Sequence, residues 1–266
     1  MNHDMYQGFS LPLEYVIAFC FLLLLGIYIV AGIITSRRTR LRWWPLHRYI
    51  FWVLGIFCTA LAIIGPIAQL AHTDFRIHML VHLLLGMVGP LFLALAAPMT
   101  LLLRTIPVIA AKKVTGLLKS LLIRFLSHPI IAAILNMGGL WVLYTTDLYI
   151  RMHQSLAVYI LIHIHVFLAG YIFTVAMIYI DPITHRYSFI YRSVVLVLSL
   201  ASHGILAKYI YANPPNGVPV SQAEFGGMLM YYGGDAVDLI LIFILCLHWY
   251  KAAQPYFVEN KKLNIN

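Results

Sequence analysis

Apolar runs of about 20 residues, the length that carries a helix across the hydrocarbon core of a bilayer, recur from one end of this chain to the other. The first is LPLEYVIAFCFLLLLGIYIVAGII, residues 11–34. Inside lipid no water is available to the backbone, so each run must satisfy its own N–H and C=O groups as a helix. A membrane β-barrel would need shorter segments of alternating polarity, and the sequence has none. Only 10% of the residues are charged and 62% are hydrophobic, whereas a soluble domain carries roughly 25% charged residues. The expected fold is an all-α integral membrane protein, a seven-transmembrane-helix bundle forming a single membrane domain over residues 1–266. Its spans are placed at about 13–35, 49–71, 76–103, 129–150, 157–180, 190–211 and 227–250. The third contains Gly86, Gly89, Pro90 and Pro98, and is expected to kink or to end in a partly embedded segment.

The formal net charge of +9 would suggest nucleic acid in a soluble protein. Here it reports topology, and nucleic acid is excluded as a partner. Arg37, Arg38, Arg40, Arg42 and Arg48 follow the first span, and Arg104, Lys112, Lys113, Lys119 and Arg124 the third. Arg186 and Arg192 follow the fifth, and Lys251, Lys261 and Lys262 lie in the tail. Only Arg76, Arg151 and Lys208 fall on the opposite side. The positive-inside rule then predicts an outer N-terminus and a cytoplasmic C-terminus. No basic stretch precedes the first span and no small-residue cleavage site follows it, so it is expected to stay as a span. KKVTGLLKSLLIRFL, in the loop 104–128, reads as a basic amphipathic helix on the inner surface. YANPPNGVPVSQAEFGG (residues 211–227) reads as a turn-rich outer loop. Cys20, Cys58 and Cys246 form no C-x-x-C pair and signal neither a disulfide nor a thiolate metal hook.

Placed on this topology, the histidines divide. His3 lies in the outer tail, and His47, His128, His185 and His248 sit at inner span ends or loops as interfacial or capping residues. The other seven, His72, His78, His82, His153, His163, His165 and His203, lie on the outer side, with Asp74, Asp235 and Asp238 in the same layer. Ionisable groups inside a span are expensive, so a one-sided layer of them marks a functional site or a paired structural contact. Asp74, His78 and His82 are spaced four apart and share a face if the helix reaches back to Asp74. Two histidines so spaced can present two nitrogens to one metal. His163 and His165, two apart, point away from each other, so at most one should join that site; spacing alone does not say which.

Imidazole suits copper, zinc, iron and nickel, and thioether suits Cu(I). Met79, Met87, Met152, Met228 and Met230 lie near the layer, where core packing is the alternative use. For His78 and His82 the alternative to a metal is hydrogen bonding between helices. Asp235 and Asp238 could orient histidines or pair with Arg76, Arg151 or Lys208. Three function classes fit: a copper site serving another membrane complex; electron transfer through haem held by histidines such as His82, His165 and His203; and a metal-dependent membrane hydrolase.

Four stretches in order then carry a resemblance: HMLVHLLLGMVGPLFLALAAP (residues 78–98), HIHVFLAGYIFTVAMIYIDP (163–182), SLASHGILA (199–207) and SQAEFGGMLMYYGGD (221–235). Together the chain resembles the CtaG-type cytochrome c oxidase assembly factor family. The resemblance implies a multi-pass protein of the bacterial plasma membrane, needed to form a haem–copper oxidase, with copper delivery as its usual role. Oxidase subunits and the lipid bilayer are the implied partners, and a homo-oligomer is left open. Residue by residue it carries over to His78, His82, His165 and His203, and less directly to His163. The chain departs from the family at the Gly-Gly segment, where AEF precedes Gly226 and Gly227, and Tyr231 and Tyr232 follow. Taken together, the expectation is a copper site of His78, His82 and His203 with His165 or His163 as a further ligand. Asp235 or Asp238 would orient the histidines, and Asp74 and His72 would be auxiliary at the mouth. No turnover chemistry is required, so a non-enzyme is expected.

Overall fold

The computed structural model describes residues 10–39, 41–183 and 185–254. His3, Arg40, Lys261 and Lys262, part of the patterns above, lie outside these. Among the described residues the chain is helical without strands. It begins with α1 (Leu11–Ser36), α2 (Leu46–Ile63), α3 (Pro66–Leu70) and α4 (Phe75–Leu83). A π-helical turn (Leu84–Val88) leads into α5 (Gly89–Leu95), α6 (Pro98–Thr105), α7 (Val108–Leu118), α8 (Leu121–Leu126) and α9 (Pro129–Ala133). A second π-helical turn (Ile134–Gly138) leads into α10 (Gly139–Thr145), and then come α11 (Leu148–Gln154), α12 (Leu156–Met177), α13 (Phe189–Ala212) and α14 (Val220–Ala253). Six spans among these residues are long and apolar enough to cross a membrane, and a seventh follows if the bent unit 129–154 counts as one.

Prolines set the departures from the expected boundaries. Pro66 and Pro98 lack the N–H that would continue a helix and instead occupy its first turn. The second expected span therefore stops at Ile63. The third stops at Leu95, after which Ala97 takes a left-handed conformation (φ 53°) and α6 begins anew. The fourth bends by 80° between Thr145 and Leu148. The single surface helix expected after Arg104 is two, divided where the Ser120 hydroxyl caps Ile123 N–H of α8. The expected outer loop is shorter than 211–227, because α14 begins at Val220. Its Gly-Gly pair is a close-contact surface rather than a turn. A Cβ at Gly226 would sit 2.8 Å from the Phe75 ring, and one at Gly227 would sit 2.9 Å from the Ala207 carbonyl. Small residues are what allow helices in lipid to approach this closely.

The unit α4–π–α5 is the centre of the bundle. Its most apolar window is 67% buried, against 11% for α1. It lies against α14, α2 and α12, and α13 pairs with α14. Hydrogen bonds sort the loops into two ends. At one, Gln69 donates to Glu14, the Gln222 carbonyl oxygen accepts from Phe75 N–H, and Asn216 donates to Asp147. At the other, Arg38 donates to the carbonyls of Arg104 and Thr105, and Arg104 to that of Arg42. Trp44 lies beneath the Arg48 and Arg104 guanidinium groups there, 4.5 and 5.1 Å from its ring centroid. The buried Arg192 closes the end of α12 by donating to Met177 O at 2.5 Å, and its guanidinium lies 4.0 Å over the Tyr179 ring.

Asp181, buried at this basic end, holds the start of α6. Its carboxylate accepts from Met99 N–H (3.1 Å), Thr100 N–H (2.8 Å) and the Thr100 hydroxyl (2.6 Å). First-turn N–H groups have no partner inside their own helix, so a carboxylate from another segment stabilises both helix and join. Asp181→Ala is expected to lower stability by about 2 kcal/mol, read as a fall in the thermal unfolding midpoint of the detergent-purified protein. Asp181→Asn, which keeps one acceptor oxygen, should recover part of the loss.

Candidate functional site

His78 and His82 sit one turn apart on α4 and are both buried. The helix does not reach back to Asp74. That residue caps α4 by accepting from Arg76 N–H and is ion-paired with the Arg76 side chain at 2.6 Å. Its hydrogen bond from the Arg76 side chain holds its pKa below the ordinary value. The expected three-residue face therefore contains only the two histidines. His78 Nε2 is hydrogen-bonded to the Tyr144 hydroxyl at 3.1 Å. His82 Nε2 is buried without a hydrogen-bond partner in the protein.

The second unpartnered imidazole nitrogen of this region is His203 Nε2, from the buried middle of α13. The His82 and His203 rings are 6.3 Å apart by centroid, with planes 26° from parallel. Each borders a small void. A cavity of about 20 Å³ is bounded by His78, His82, His163, Tyr144 and Met152, among others. Another of about 10 Å³ lies against His203, Asp238, Asn136 and Ser199. Each is on the scale of one water molecule. The buried Asp238 shares the boundary of this void with His203, and Asp235, one turn away on α14, is partly buried. Among the described residues, no three His, Cys, Asp or Glu side chains stand close enough together to hold a metal ion.

His163 and His165 part company, as a spacing of two requires. His163 borders the void with His78 and His82. Its Nδ1 lies 2.8 Å from the Tyr159 carbonyl; a carbonyl only accepts, so the proton is on Nδ1 and the Nε2 lone pair is free. His165 points to the fourth span. Its Nε2 donates to Leu135 O (3.1 Å) within the second π-helical turn, and its ring packs over Gly139 so closely that a Cβ there would overlap it. Such turns release carbonyls from the α-helical ladder and recur at functional sites. The π-helical turn Leu84–Val88 begins two residues after His82. Its Gly86 carbonyl meets Gly170 of α12 with no room for a side chain between.

At the α3–α4 corner, His72 packs against His153 (centroids 5.9 Å apart) and Tyr159 (4.9 Å). Burial, with His153 adding to it, pushes the His72 pKa down to about 4, so it is neutral at physiological pH. His153 Nδ1 lies 2.9 Å from the Tyr149 carbonyl, which again places the proton on Nδ1. His153 and His78 are 6.2 Å apart by centroid. Sequence reasoning placed His153 in the outer layer without giving it a role, and did not single out Tyr144, Asn136 or Asp181 as a helix anchor. A buried hydrogen bond to a histidine gives Tyr144 no one-dimensional signature.

A sequence model of the family described as cytochrome c oxidase caa3 assembly factor (Caa3_CtaG) matches residues 26–252. An uncharacterised protein of Mycobacterium leprae is 31% identical over 191 residues, covering 68% of this chain and 28% of that protein. Uncharacterised proteins of Mycobacterium bovis and Mycobacterium tuberculosis are each 36% identical over 170 residues, covering 59% of this chain and 25% of theirs. The chain therefore spans about a quarter of the length of the curated relatives it matches. No solved structure matches it.

Proposed function

This chain belongs to the cytochrome c oxidase caa3 assembly factor family, and from that premise we propose that it supplies copper to a bacterial haem–copper oxidase. It does so as a non-catalytic, multi-pass protein of the plasma membrane, a single membrane domain with its N-terminus outside and C-terminus inside. The orientation rests on the lysines and arginines gathered at one end of the bundle, and it turns the end with His72 and His153 outward. Oxidase subunits receive the ion.

One observation carries the copper reading. Two imidazole nitrogens, His82 Nε2 on α4 and His203 Nε2 on α13, are buried with no hydrogen-bond partner in the protein. An orphaned buried nitrogen costs about 1–3 kcal/mol, and two in neighbouring rings make a matched pair of donors for a cation. The two ring centroids lie 6.3 Å apart, a separation at which one ion could be held by both imidazoles. Imidazole donors suit copper, and two donors without a closed cage suit an ion that must be handed on. His163 and His78 border the void on the His82 side. Asp238 borders the void at His203. When bound, the copper would supply no turnover chemistry; the residues hold it and exclude water. Voids of about 10 and 20 Å³ suit an ion better than a haem macrocycle.

The test is anaerobic Cu(I) titration of the purified full chain, with elemental analysis and a visible spectrum. One copper per chain, lost in the His82→Ala, His203→Ala double variant, is the expected result. No copper uptake by the natural sequence would sink the proposal, and a Soret band in its place would establish haem.

A further inference from the structure

The outward end of the bundle holds a cavity of about 480 Å³ whose lining includes His72, Tyr149, His153, Gln154, Asn216 and Gln222. It is far larger than the two small voids and is lined by polar and apolar side chains together. His153 is a buried histidine of its lining: its proton is fixed on Nδ1 by the Tyr149 carbonyl, and Nε2 keeps its lone pair for a metal ion. From there the rings form a series. His153 lies 6.2 Å from His78 by centroid, His78 and His82 border one void, and His82 lies 6.3 Å from His203.

We propose that this cavity is the loading port for a monovalent copper ion, with His153 as its first buried ligand and His78 as the step between port and the His82–His203 pair. The inference rests on the copper reading above and adds where the ion enters and in what order the ligands act. Each move exchanges one neutral imidazole for the next on Cu(I). No electron moves, and no proton need leave an Nδ1. His78 must yield its hydrogen bond with Tyr144 as the ion passes, which makes that hydroxyl the point of resistance. Met152, on the boundary of the void shared by His78 and His82, offers a thioether alongside. His72, packed against His153 and Tyr159, holds the port wall.

The experiment measures loading rate apart from final occupancy. Full-length protein in detergent is mixed with the Cu(I)–bicinchoninate complex, and the decay of the chromophore is followed to its plateau. His153→Ala removes the port ligand, and Gln154→Trp narrows the port while keeping every histidine in the sequence. Both should slow loading roughly tenfold or more, the scale on which a supporting histidine acts at a metal site, while the plateau stays at the value of the natural sequence. Unchanged rates in both variants, with normal copper uptake, would overturn the port and leave the buried pair standing. A lowered plateau in His153→Ala would make His153 a resident ligand and would also overturn it. Failure of the natural sequence to take up copper removes both proposals together. Should His153→Ala not fold, Gln154→Trp carries the same comparison.

Discussion

Replacing Gly170 with leucine is expected to abolish the folded bundle. The reason is backbone against backbone. A Cβ at Gly170 would overlap the Gly86 carbonyl oxygen and lie 2.9 Å from the Gly86 carbonyl carbon, and neither can move as the end of a flexible side chain can. The two helices would have to separate along their length at the most buried span, opening the core around Val166, Ala169 and Phe173. Overpacking in an ordinary core costs about 1–3 kcal/mol; here the obstacle is main chain, and a loss above roughly 3 kcal/mol is expected. The measurement is the yield of monodisperse protein by size-exclusion chromatography, with the thermal unfolding midpoint of whatever folds. Gly26→Leu is the control. A Cβ there meets nothing within 4 Å, so the variant should behave as the natural sequence does.

The second large effect separates function from stability. A His82→Leu, His203→Leu double variant is expected to lose copper binding yet unfold at the same temperature as the natural chain, or higher. Neither Nε2 has a hydrogen-bond partner in the protein, so an apolar side chain of similar volume breaks no bond of theirs and removes a buried polar atom worth about 1–3 kcal/mol of destabilisation each. His78→Leu should do the opposite. It strands the Tyr144 hydroxyl, 3% exposed and bonded to His78 Nε2, and should cost about 1–2 kcal/mol. Unfolding curves of the metal-free proteins decide it. If the double variant is destabilised as much as His78→Leu, the pair serves packing and the copper reading loses its main support.

How much of this was readable in one dimension differs by element. The first, fifth and sixth spans were set within a few residues, because each is an uninterrupted apolar run whose ends are polar or proline-marked. The second was run too long, because a hydropathy pattern registers the apolar residues beyond Ile63 but not that Pro66 starts a separate helix. In the third, Gly86, Gly89, Pro90 and Pro98 signal a break, and it falls between Leu95 and Pro98, while the 80° bend in the fourth, between Thr145 and Leu148, carries no proline or glycine to mark it. The Gly226-Gly227 pair was read as turn chemistry, since glycine serves turns and close contacts alike, and only the approach of Phe75 and Ala207 distinguishes them. Helical spacing predicted that His163 and His165 diverge. It left open which one faces His82, because that depends on the rotation of α12, set at Gly170 by contact with another span. The Asp74–His78–His82 face was overextended by one residue, because aspartate at that position is a helix cap as readily as a helix member.

The two π-helical turns bear on how the protein could change. A residue turns a regular helix by about 100°, so adding one to regular helix would twist everything beyond it by that angle. The π-helical turn at Leu84–Val88 instead takes up about one extra residue by widening, so the His78–His82 half and the Gly89–Leu95 half keep nearly the relative azimuth they would have in a regular helix one residue shorter. A single-residue deletion within the turn should therefore leave the histidine face almost where it is, whereas the same deletion in the regular helix on either side would redirect that face.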